Sequence, residues 1–467
     1  MPEFVNRTEE LGRLRELFDS DEAELAVVYG RRRLGKTRLV ERALDDYERA
    51  VFYQARQKTR TLQIEQFVET AADAFPGIER VRQDWEPLFG YLADQDGIVV
   101  LDEFPYLIEQ DGSLPSVLQA LFDHEFDASA ATFVLVGSSI SMMEEATLLG
   151  DSPLYGRSSL NLDIRQLPFD AAVEFLPDET TPDDAVRAWS VVGGVPYYLE
   201  ELDPTASLEE NIRRTVLTRH GSLHDEPGYV LRMELQKPTR YFSILEAIAG
   251  GATGRNEIAG ATGIDYNQLS TYLDRLSRLR LIERRVPVTE RPERSKRSRY
   301  RIRDPFFRFW FRFLYGSPDR YDEFGSGAYG RLIEPQMPDF VAPAFEDLCC
   351  RALWTLYDEY PVIDVGQWWY QDHEVDVVGL TDENVLIAGE CKYQASPTDR
   401  SALSSLEAHV EELRWTPDGD DARSCEYALF SRSGFTDGVR NMAAERSDLR
   451  LYSLADVVES LLDGRPC

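Results

Sequence analysis

A phosphate-binding pattern near the N-terminus constrains the fold of this chain more than any other stretch. The apolar residues Leu25 to Tyr29 predict a short buried strand, and Gly-x-x-x-x-Gly-Lys-Thr follows over residues 30–37. The chain then continues as a helix through Leu39 and Val40. Such a helix directs its N-terminal N–H groups and its dipole at a phosphate. The pattern therefore predicts nucleotide binding, and the alternative is an ordinary glycine-containing turn.

The loop residues divide into those that shape the backbone and those that reach the ligand. Gly30 and Gly35 give the backbone the freedom to wrap around phosphates. Lys36 can reach the β and γ oxygens, and Thr37 offers a hydroxyl to Mg²⁺. We expect the whole loop to bind the nucleotide, namely Gly30, Arg31, Arg32, Arg33, Leu34, Gly35, Lys36, Thr37 and Arg38. ATP and Mg²⁺ are therefore the expected cofactors.

A second apolar strand, Ile98 to Leu101, leads into two acids, Asp102 and Glu103. Hydrolysis that depends on Mg²⁺ needs such a pair, so we expect Asp102 to hold the water shell of the metal and Glu103 to polarise the attacking water. The alternative is a strand that ends in a solvated acidic turn. Arg157 is a candidate transition-state cation, in its own chain or in a neighbouring subunit of an oligomer. It could equally be a surface arginine paired with a carboxylate.

The middle of the chain has the pattern of a winged helix-turn-helix. Helices over Arg240–Ala249, from Arg255 and over Tyr266–Leu279 precede strands at Leu281–Val286 and Arg299–Arg303. The hairpin is locally basic and carries Arg284, Arg285, Arg291, Arg294, Lys296, Arg297, Arg299 and Arg301. This clustering favours contact with DNA phosphates, and the alternative is a lid or a spacer between domains.

The aromatic stretch that follows, Asp304 to Leu314, is apolar nearly all round a helix. It is too short to cross a membrane, so we interpret it as a buried interdomain helix rather than a base-stacking platform. The segment from Gly316 to Asp339 is rich in Gly, Pro and acids, which is typical of a linker.

The C-terminal part places acids and a lysine on two predicted strands. Side chains two apart share a face of a strand, so Glu374 pairs with Asp376 and Glu390 with Lys392. A hairpin of these strands would gather three carboxylates and an ammonium. We expect Asp376 and Glu390 to ligate Mg²⁺ and Lys392 to orient or deprotonate water at a phosphodiester. A hairpin with solvent-facing charges is the alternative.

Composition narrows the class of protein. The chain has 83 acidic and 51 basic residues, a net charge of −32, and five lysines. This balance resembles that of proteins from salt-loving archaea, where molar salt screens the repulsion and leaves nucleic-acid binding feasible. An acidic protein from ordinary salt is the alternative. No apolar run could span a membrane, and the five cysteines have no metal or disulfide spacing, so we expect a cytoplasmic protein without membrane contact.

The order of these parts resembles the archaeal P-loop ATPases of the AAA+ and STAND class, which share the motif at residues 30–37 and carry a winged helix. A third apolar stretch, Thr132 to Val136, predicts another strand and is followed by Gly137, Ser138 and Ser139. In that family a polar residue here senses the γ-phosphate, which implies Ser138 or Ser139, although either could cap the next helix. The Gly-x-Pro lid signature implies that Pro196 packs near the base. The C-terminal pattern is similar to the PD-(D/E)xK restriction-endonuclease-like superfamily, which implies Glu346 as the acid on the preceding helix.

We therefore predict an α/β protein with a parallel-sheet ATPase domain and a nuclease-like C-terminal domain. The expected segments are an ATPase core (1–167), a helical lid (168–235), a winged helix-turn-helix (236–304), a buried helix with linker (305–340) and a PD-(D/E)xK nuclease-like domain (341–467). The expected function is an ATP-hydrolysing switch coupled to a Mg²⁺-dependent DNA nuclease. The alternative is a regulatory ATPase whose C-terminal domain binds nucleic acid or protein without cleavage.

Overall fold

The computed structural model describes residues 4–124, 130–235, 237–316, 321, 323–415 and 423–463. The chain forms two compact units. One unit comprises Pro2–Leu167 with Val195–Tyr197, and the other comprises Pro168–Gly194 with Tyr198–Cys467. In the described ranges no helix is both long and apolar enough to cross a bilayer.

The first unit is built on a five-stranded parallel sheet in the order β2-β3-β4-β1-β5, which confirms the predicted fold class. Its strands are β1 (Glu24–Tyr29), β2 (Ala50–Gln54), β3 (Ile98–Asp102), β4 (Thr132–Gly137) and β5 (Leu160–Asp163). The sequence predicts the three central strands because both of their faces are buried, which gives continuous apolar runs. The edge strands β2 and β5 are short and are fully buried on one face only.

Helices cover this sheet. They are α1 (Thr8–Phe18), α2 (Lys36–Leu44), α3 (Arg60–Ala71), α4 (Trp85–Ala93), α5 (Phe104–Gln110), α6 (Leu114–His124) and α7 (Ile140–Met143). An aromatic cluster fills the core between α3, α4 and the sheet, where Phe67 lies 5.4 Å from Trp85 and Phe89 lies 5.5 Å from Phe133 between ring centroids. This packing fixes the sheet whose carboxyl edge carries the phosphate-binding loop.

The second unit begins with five short helices. They are α8 (Phe169–Val173), α9 (Pro182–Val192), α10 (Pro196–Glu200), α11 (Leu208–Ile212) and α12 (Glu226–Glu234). The side chain of Thr181 caps α9 by accepting a hydrogen bond from the Asp184 backbone N–H at 3.2 Å. Pro182 occupies the first helical position, where its missing N–H costs nothing.

Three helices and a hairpin follow in the predicted order. They are α13 (Thr239–Ala249), α14 (Arg255–Thr262), α15 (Tyr266–Arg278), β6 (Ile282–Arg285) and β7 (Arg299–Ile302). The strands β6 and β7 pair antiparallel, and Leu269, Leu273 and Leu276 form the buried face of α15.

The aromatic stretch forms α16 (Pro305–Phe313), and its six aromatic side chains are buried. The prediction that a linker follows α16 is wrong in part. Short 3-10 and π turns at Gly325–Gly327, Tyr329–Ile333 and Glu334–Gln336 run directly into α17 (Met337–Leu356). Tyr329, Ile333 and Met337 are buried, and the Gly and Pro content of the segment obscures this apolar face. Residues 317–320 and 322 lie outside the described residues.

The C-terminal domain has a separate five-stranded mixed sheet in the order β12-β11-β10-β9-β8. Its further elements are β8 (Val362–Tyr370), β9 (His373–Thr381), β10 (Val385–Lys392), α18 (Arg400–Glu412), β11 (Ser424–Ser431), α19 (Asp437–Glu445), β12 (Leu449–Ser453) and α20 (Leu454–Leu462). The strands β9 and β10 form the predicted antiparallel hairpin. The aromatic residues Trp368, Trp369 and Tyr370 end β8.

Candidate functional site

The phosphate-binding loop needs its two glycines for different reasons. Gly30 has φ 149°, and a Cβ there would lie 2.3 Å from the carbonyl oxygen of Ile164. Gly35 has φ 82° at the N-terminus of α2, and a Cβ there would meet no atom within 4 Å. The first glycine therefore permits a close backbone approach. The second permits a left-handed conformation beside open space into which a phosphate fits.

The loop side chains turn inward. Lys36 is 5% exposed, and its ammonium donates a hydrogen bond to the Arg31 carbonyl oxygen at 2.9 Å. Leu34 is buried, and Arg32 donates to the Tyr106 hydroxyl at 2.8 Å. A phosphate oxygen would replace the carbonyl as the acceptor for Lys36, because both present lone pairs to the ammonium.

The acids that end β3 lie beside the loop. The Thr37 hydroxyl donates to Asp102 Oδ2 at 3.0 Å, and Gln54 donates to the same oxygen at 3.0 Å. Burial raises the pKa of Asp102. A hydroxyl and a carboxylate form the hard oxygen set that suits Mg²⁺. Gln54 was missed from the sequence because it ends an edge strand without a recognisable pattern.

Glu103 follows in a left-handed conformation, φ 52°, where the chain turns from β3 into α5. The Ser138 hydroxyl donates to Glu103 Oε1 at 2.8 Å, whereas Ser139 occupies the N-cap position of α7. The structure thus separates the two serines that the sequence leaves equivalent. Arg157 makes two hydrogen bonds with the carboxylate of Asp123, at 2.7 and 2.8 Å, the surface pairing given above as the alternative.

Pro196 belongs to the three-residue segment Val195–Tyr197 that clusters with the ATPase unit. It begins α10, and the neighbouring Tyr197 ring lies 4.0 Å from the guanidinium carbon of Arg33. Arg38 lies in the first turn of α2, one turn before Glu41. Burial raises the pKa of Glu41, and the charge of Arg38 only partly opposes this. The lid signature and the phosphate-binding loop are therefore in direct contact.

In the C-terminal domain, Asp376 lies in a β-bulge of β9. Val375 and Val378 pair with Trp368 and Gly366, so β9 has one residue more than β8 between these pairs. The Asp376 carboxylate accepts from the Cys391 backbone N–H at 2.9 Å. Bulges commonly redirect side chains next to functional sites.

Glu390 and Lys392 lie at the end of β10, the strand that pairs with β9. The Lys392 ammonium contacts Glu390 Oε1 at 2.5 Å, and Glu390 is 8% exposed. Burial, together with the charges of Glu346 and Glu390, raises the pKa of Asp376 well above its usual range. We call Glu346, Asp376, Glu390 and Lys392 the carboxylate cluster. Its member on α17, Glu346, was indicated only by family resemblance.

Glu374 was predicted to share the face of Asp376. It is instead paired with the β6–β7 hairpin. Its carboxylate accepts from Arg299 at 2.6 Å, and the same guanidinium lies 4.5 Å from the Trp369 ring centroid. Arg297 donates to the Trp369 carbonyl at 3.1 Å, and Val288 N donates to the Gln367 carbonyl at 2.9 Å. The β6–β7 hairpin is thus docked on β8 and β9.

A second set of ion pairs, here named the hairpin clamp, comprises Glu283, Arg285, Arg301 and Asp347. Arg285 donates to Asp347 Oδ1 at 2.7 Å and to Glu283 at 2.6 Å, and Arg301 donates to Asp347 Oδ2. Five of the eight basic residues predicted to face DNA are therefore engaged by acids or carbonyls of the same chain: Arg284, Arg285, Arg297, Arg299 and Arg301. These contacts correspond to the spacer alternative.

Metal binding at the carboxylate cluster has a limited donor set. Among the described residues, no three His, Cys, Asp or Glu side chains are arranged to hold an ion together. A set of only two carboxylates, Asp376 and Glu390, is still compatible with Mg²⁺, because this ion commonly takes one or two carboxylates and keeps several waters.

Comparison with known proteins matches both parts of the chain. Residues 4–202 match a family described as an ATPase domain predominantly from Archaea. Residues 310–406 match a family described as Archaea bacterial proteins of unknown function. A Walker-type ATPase of Pyrococcus abyssi superimposes with a TM-score of 0.51 at 19% identity, over 66% of this chain and 96% of that chain. At this identity the likeness concerns the fold alone.

Two proteins of Methanocaldococcus jannaschii are similar in sequence. An uncharacterized ATP-binding protein is 46% identical over 43 residues, which are 9% of this chain and 73% of that protein. An uncharacterized protein is 33% identical over 388 residues, which are 82% of this chain and 85% of that protein. This chain therefore belongs to the archaeal family that the longer relative represents, and its N-terminal domain is an ATPase domain.

Proposed function

We propose that the chain is an ATP-hydrolysing switch, of the STAND type, coupled to a Mg²⁺-dependent DNA nuclease. The observation that carries the nuclease assignment is that Asp376, Glu390 and Lys392 converge at one end of the β9–β10 hairpin. Like charges packed this closely are costly unless a cation or a substrate group compensates them. The acidic, lysine-poor composition further supports activity in concentrated salt.

At the ATP site, Thr37 and Asp102 would hold Mg²⁺, which when bound screens the charge of the phosphates. Lys36 exchanges the Arg31 carbonyl for phosphate oxygens. Glu103 orients the attacking water, and Ser138 positions Glu103 through its 2.8 Å hydrogen bond. Arg157 contributes to the transition state, here or in a neighbouring subunit, only after its pair with Asp123 opens.

In the nuclease, Asp376 and Glu390 would hold Mg²⁺, which when bound supplies charge stabilisation at the phosphodiester. Lys392 places its ammonium beside Glu390, where it neutralises charge on the phosphodiester. Glu346 closes the cluster from α17. The chemistry is hydrolysis of a phosphate ester, with these residues orienting water and substrate.

DNA would approach along the hairpin tip. Arg291, Arg294 and Lys296 are exposed and line a hollow of about 350 Å³. Their charges suit phosphate contacts without base recognition. The winged helix then acts as a wall of the nuclease groove rather than as an independent reader of sequence.

The direct test is cleavage of linear and single-stranded DNA in molar KCl, with Mg²⁺ or Mn²⁺ and with or without ATP. We expect the wild type to cleave and Lys392→Ala, which removes the ammonium of the carboxylate cluster, not to cleave. Lys58→Ala is the matched control, because it removes a lysine ammonium outside the cluster, and it should cleave as the wild type does. ATP hydrolysis should disappear in Lys36→Ala and Glu103→Gln. Full turnover in either variant would contradict the ATP-site assignment.

The second candidate is a regulatory ATPase whose C-terminal domain binds without cutting. Engagement of five hairpin arginines by acids or carbonyls of the chain itself favours it, because these groups are less available to a nucleic acid. ATP hydrolysis without cleavage of any substrate would decide for this candidate.

A further inference from the structure

The N-terminal end of α9 contacts the strand end that carries Lys392. The Tyr393 hydroxyl donates to Asp183 Oδ1 at 2.6 Å, and Arg432 donates to Asp183 Oδ2 at 2.8 Å. The Arg432 backbone N–H also donates to the Lys392 carbonyl at 3.0 Å. We call Asp183, Tyr393 and Arg432 the α9 link. Through this link the Asp183 carboxylate accepts hydrogen bonds from Tyr393, which follows Lys392 in sequence, and from Arg432, whose backbone N–H donates to the Lys392 carbonyl.

The link is well ordered by packing. Tyr393 is 7% exposed, its ring lies 5.7 Å from Phe345 of α17, and the Arg432 guanidinium lies 4.8 Å from the Tyr393 ring centroid. Burial and then the hydrogen bond to Asp183 raise the pKa of Tyr393. Hydrogen bonds to a charged group are stronger than neutral ones, so a shift of Asp183 would be felt by β10.

The other end of α9 leads to the nucleotide site. Gly193 ends the helix with φ 64° and ψ −153°, a conformation open essentially to glycine, and a Cβ there would lie 2.8 Å from Pro305 Cδ. Only Gly194 separates it from Val195–Tyr197, the segment whose Tyr197 ring contacts Arg33 of the phosphate-binding loop. The 11 residues of α9 span about 16 Å as a rigid element.

We propose that Asp183 is a positioning residue through which the nucleotide state sets the placement of Lys392. This inference rests on the proposed function in requiring ATP binding, although it does not require DNA cleavage. A change at Arg33 and Tyr197 alters the path of the chain at Gly193–Gly194. The helix α9 transmits the change to Asp183, and the α9 link transmits it to the end of β10.

The test is hydrogen–deuterium exchange of the full chain with ADP or a non-hydrolysable ATP analogue. Protection of residues 30–40 reports nucleotide binding, and exchange in residues 385–394 reports the state of β10. In the wild type we expect exchange in residues 385–394 to differ about tenfold between the two nucleotides, as for one charge-assisted hydrogen bond made in a single state.

In Asp183→Asn, residues 30–40 should remain protected while the difference in residues 385–394 disappears. Tyr393→Phe keeps the arginine contact and should retain part of the difference. Asp170→Asn is the matched control, because it removes a different lid carboxylate, which lies 3.9 Å from Arg351. It should behave as the wild type.

Two results would overturn the inference while leaving ATP binding intact. One is equal exchange in residues 385–394 with both nucleotides although residues 30–40 are protected. The other is a nucleotide-dependent difference in residues 385–394 that survives Asp183→Asn at its wild-type size. Absence of protection at residues 30–40 would instead refute the proposed ATP switch, and this inference with it.

Discussion

Replacing Asp347 by alanine should release the hairpin from the C-terminal domain. Asp347 accepts one hydrogen bond from Arg285 at 2.7 Å and another from Arg301, and the three side chains are 25%, 28% and 24% exposed. After truncation Glu283 is the carboxylate that still pairs with both guanidinium groups. Burial and the nearby charge of Arg285 already lower the pKa of Arg301 to about 9, which shows how poorly its charge is solvated.

The size of the effect follows from this geometry. Removing one partner of a buried ion pair costs about 3–5 kcal/mol. Because each side chain here is about one quarter exposed, solvent screening reduces this cost, and we expect about 2–3 kcal/mol. Opening of the hairpin should then become roughly 30- to 150-fold more frequent, measured as faster deuterium exchange in residues 282–302.

Two control variants sharpen the measurement. Asp347→Asn keeps a hydrogen-bond acceptor and should give a smaller increase. Asp358→Ala removes an exposed carboxylate just beyond α17 and should leave exchange in residues 282–302 unchanged. A less than threefold increase in Asp347→Ala would refute the view that the hairpin clamp holds the hairpin in place.

Three further predictions concern single side chains. Gly30→Ala should abolish ATP binding in a titration calorimeter, since its Cβ would lie 2.3 Å from the Ile164 carbonyl; measurable affinity would show that the loop can relax. Ser138→Ala should lower ATP turnover about tenfold without changing ADP affinity, because Glu103 loses its donor; unchanged turnover would argue against this role. Burial raises the pKa of Glu283, but the hairpin-clamp arginines outweigh this and hold it below its ordinary value. Its stabilising contribution should be complete above about pH 5 and be lost as pH falls through the lowered pKa, so the Tm of the wild type should fall more steeply on acidification than that of Glu283→Gln.

Sequence patterns predicted the parts of the fold whose environment is uniform. The central strands β1, β3 and β4 are buried on both faces, and α15 has one apolar face, so their burial is written directly into the residue types. The edge strand β5 and the segment before α17 were not predicted, because their few buried residues are interrupted by polar residues, Gly and Pro. In these stretches tertiary contacts, rather than local preference, decide the structure.

The candidate sites divide in the same way. Residues of the phosphate-binding loop are adjacent in sequence, so spacing alone brings Lys36 beside the loop carbonyls. Contacts between distant elements could not be read from spacing. The pairing of Arg299 with Glu374 spans 75 residues, and that of Asp183 with Arg432 spans 249. A basic hairpin in an acidic chain was recognised, but its pairing with Asp347 and Glu374 was not, because these acids lie 62 and 75 residues beyond their arginine partners.

The docked hairpin also has a consequence for synthesis of the chain. Arg285 emerges 62 residues before Asp347, and Arg299 emerges 75 residues before Glu374. At a translation rate of about 5–20 residues per second, roughly 3 to 15 s pass before Asp347 and Glu374 have been synthesised. During this interval Arg285 and Arg299 have not yet met these two carboxylates. Completion of the C-terminal strands therefore sets the moment at which the hairpin arginines become unavailable to other anions.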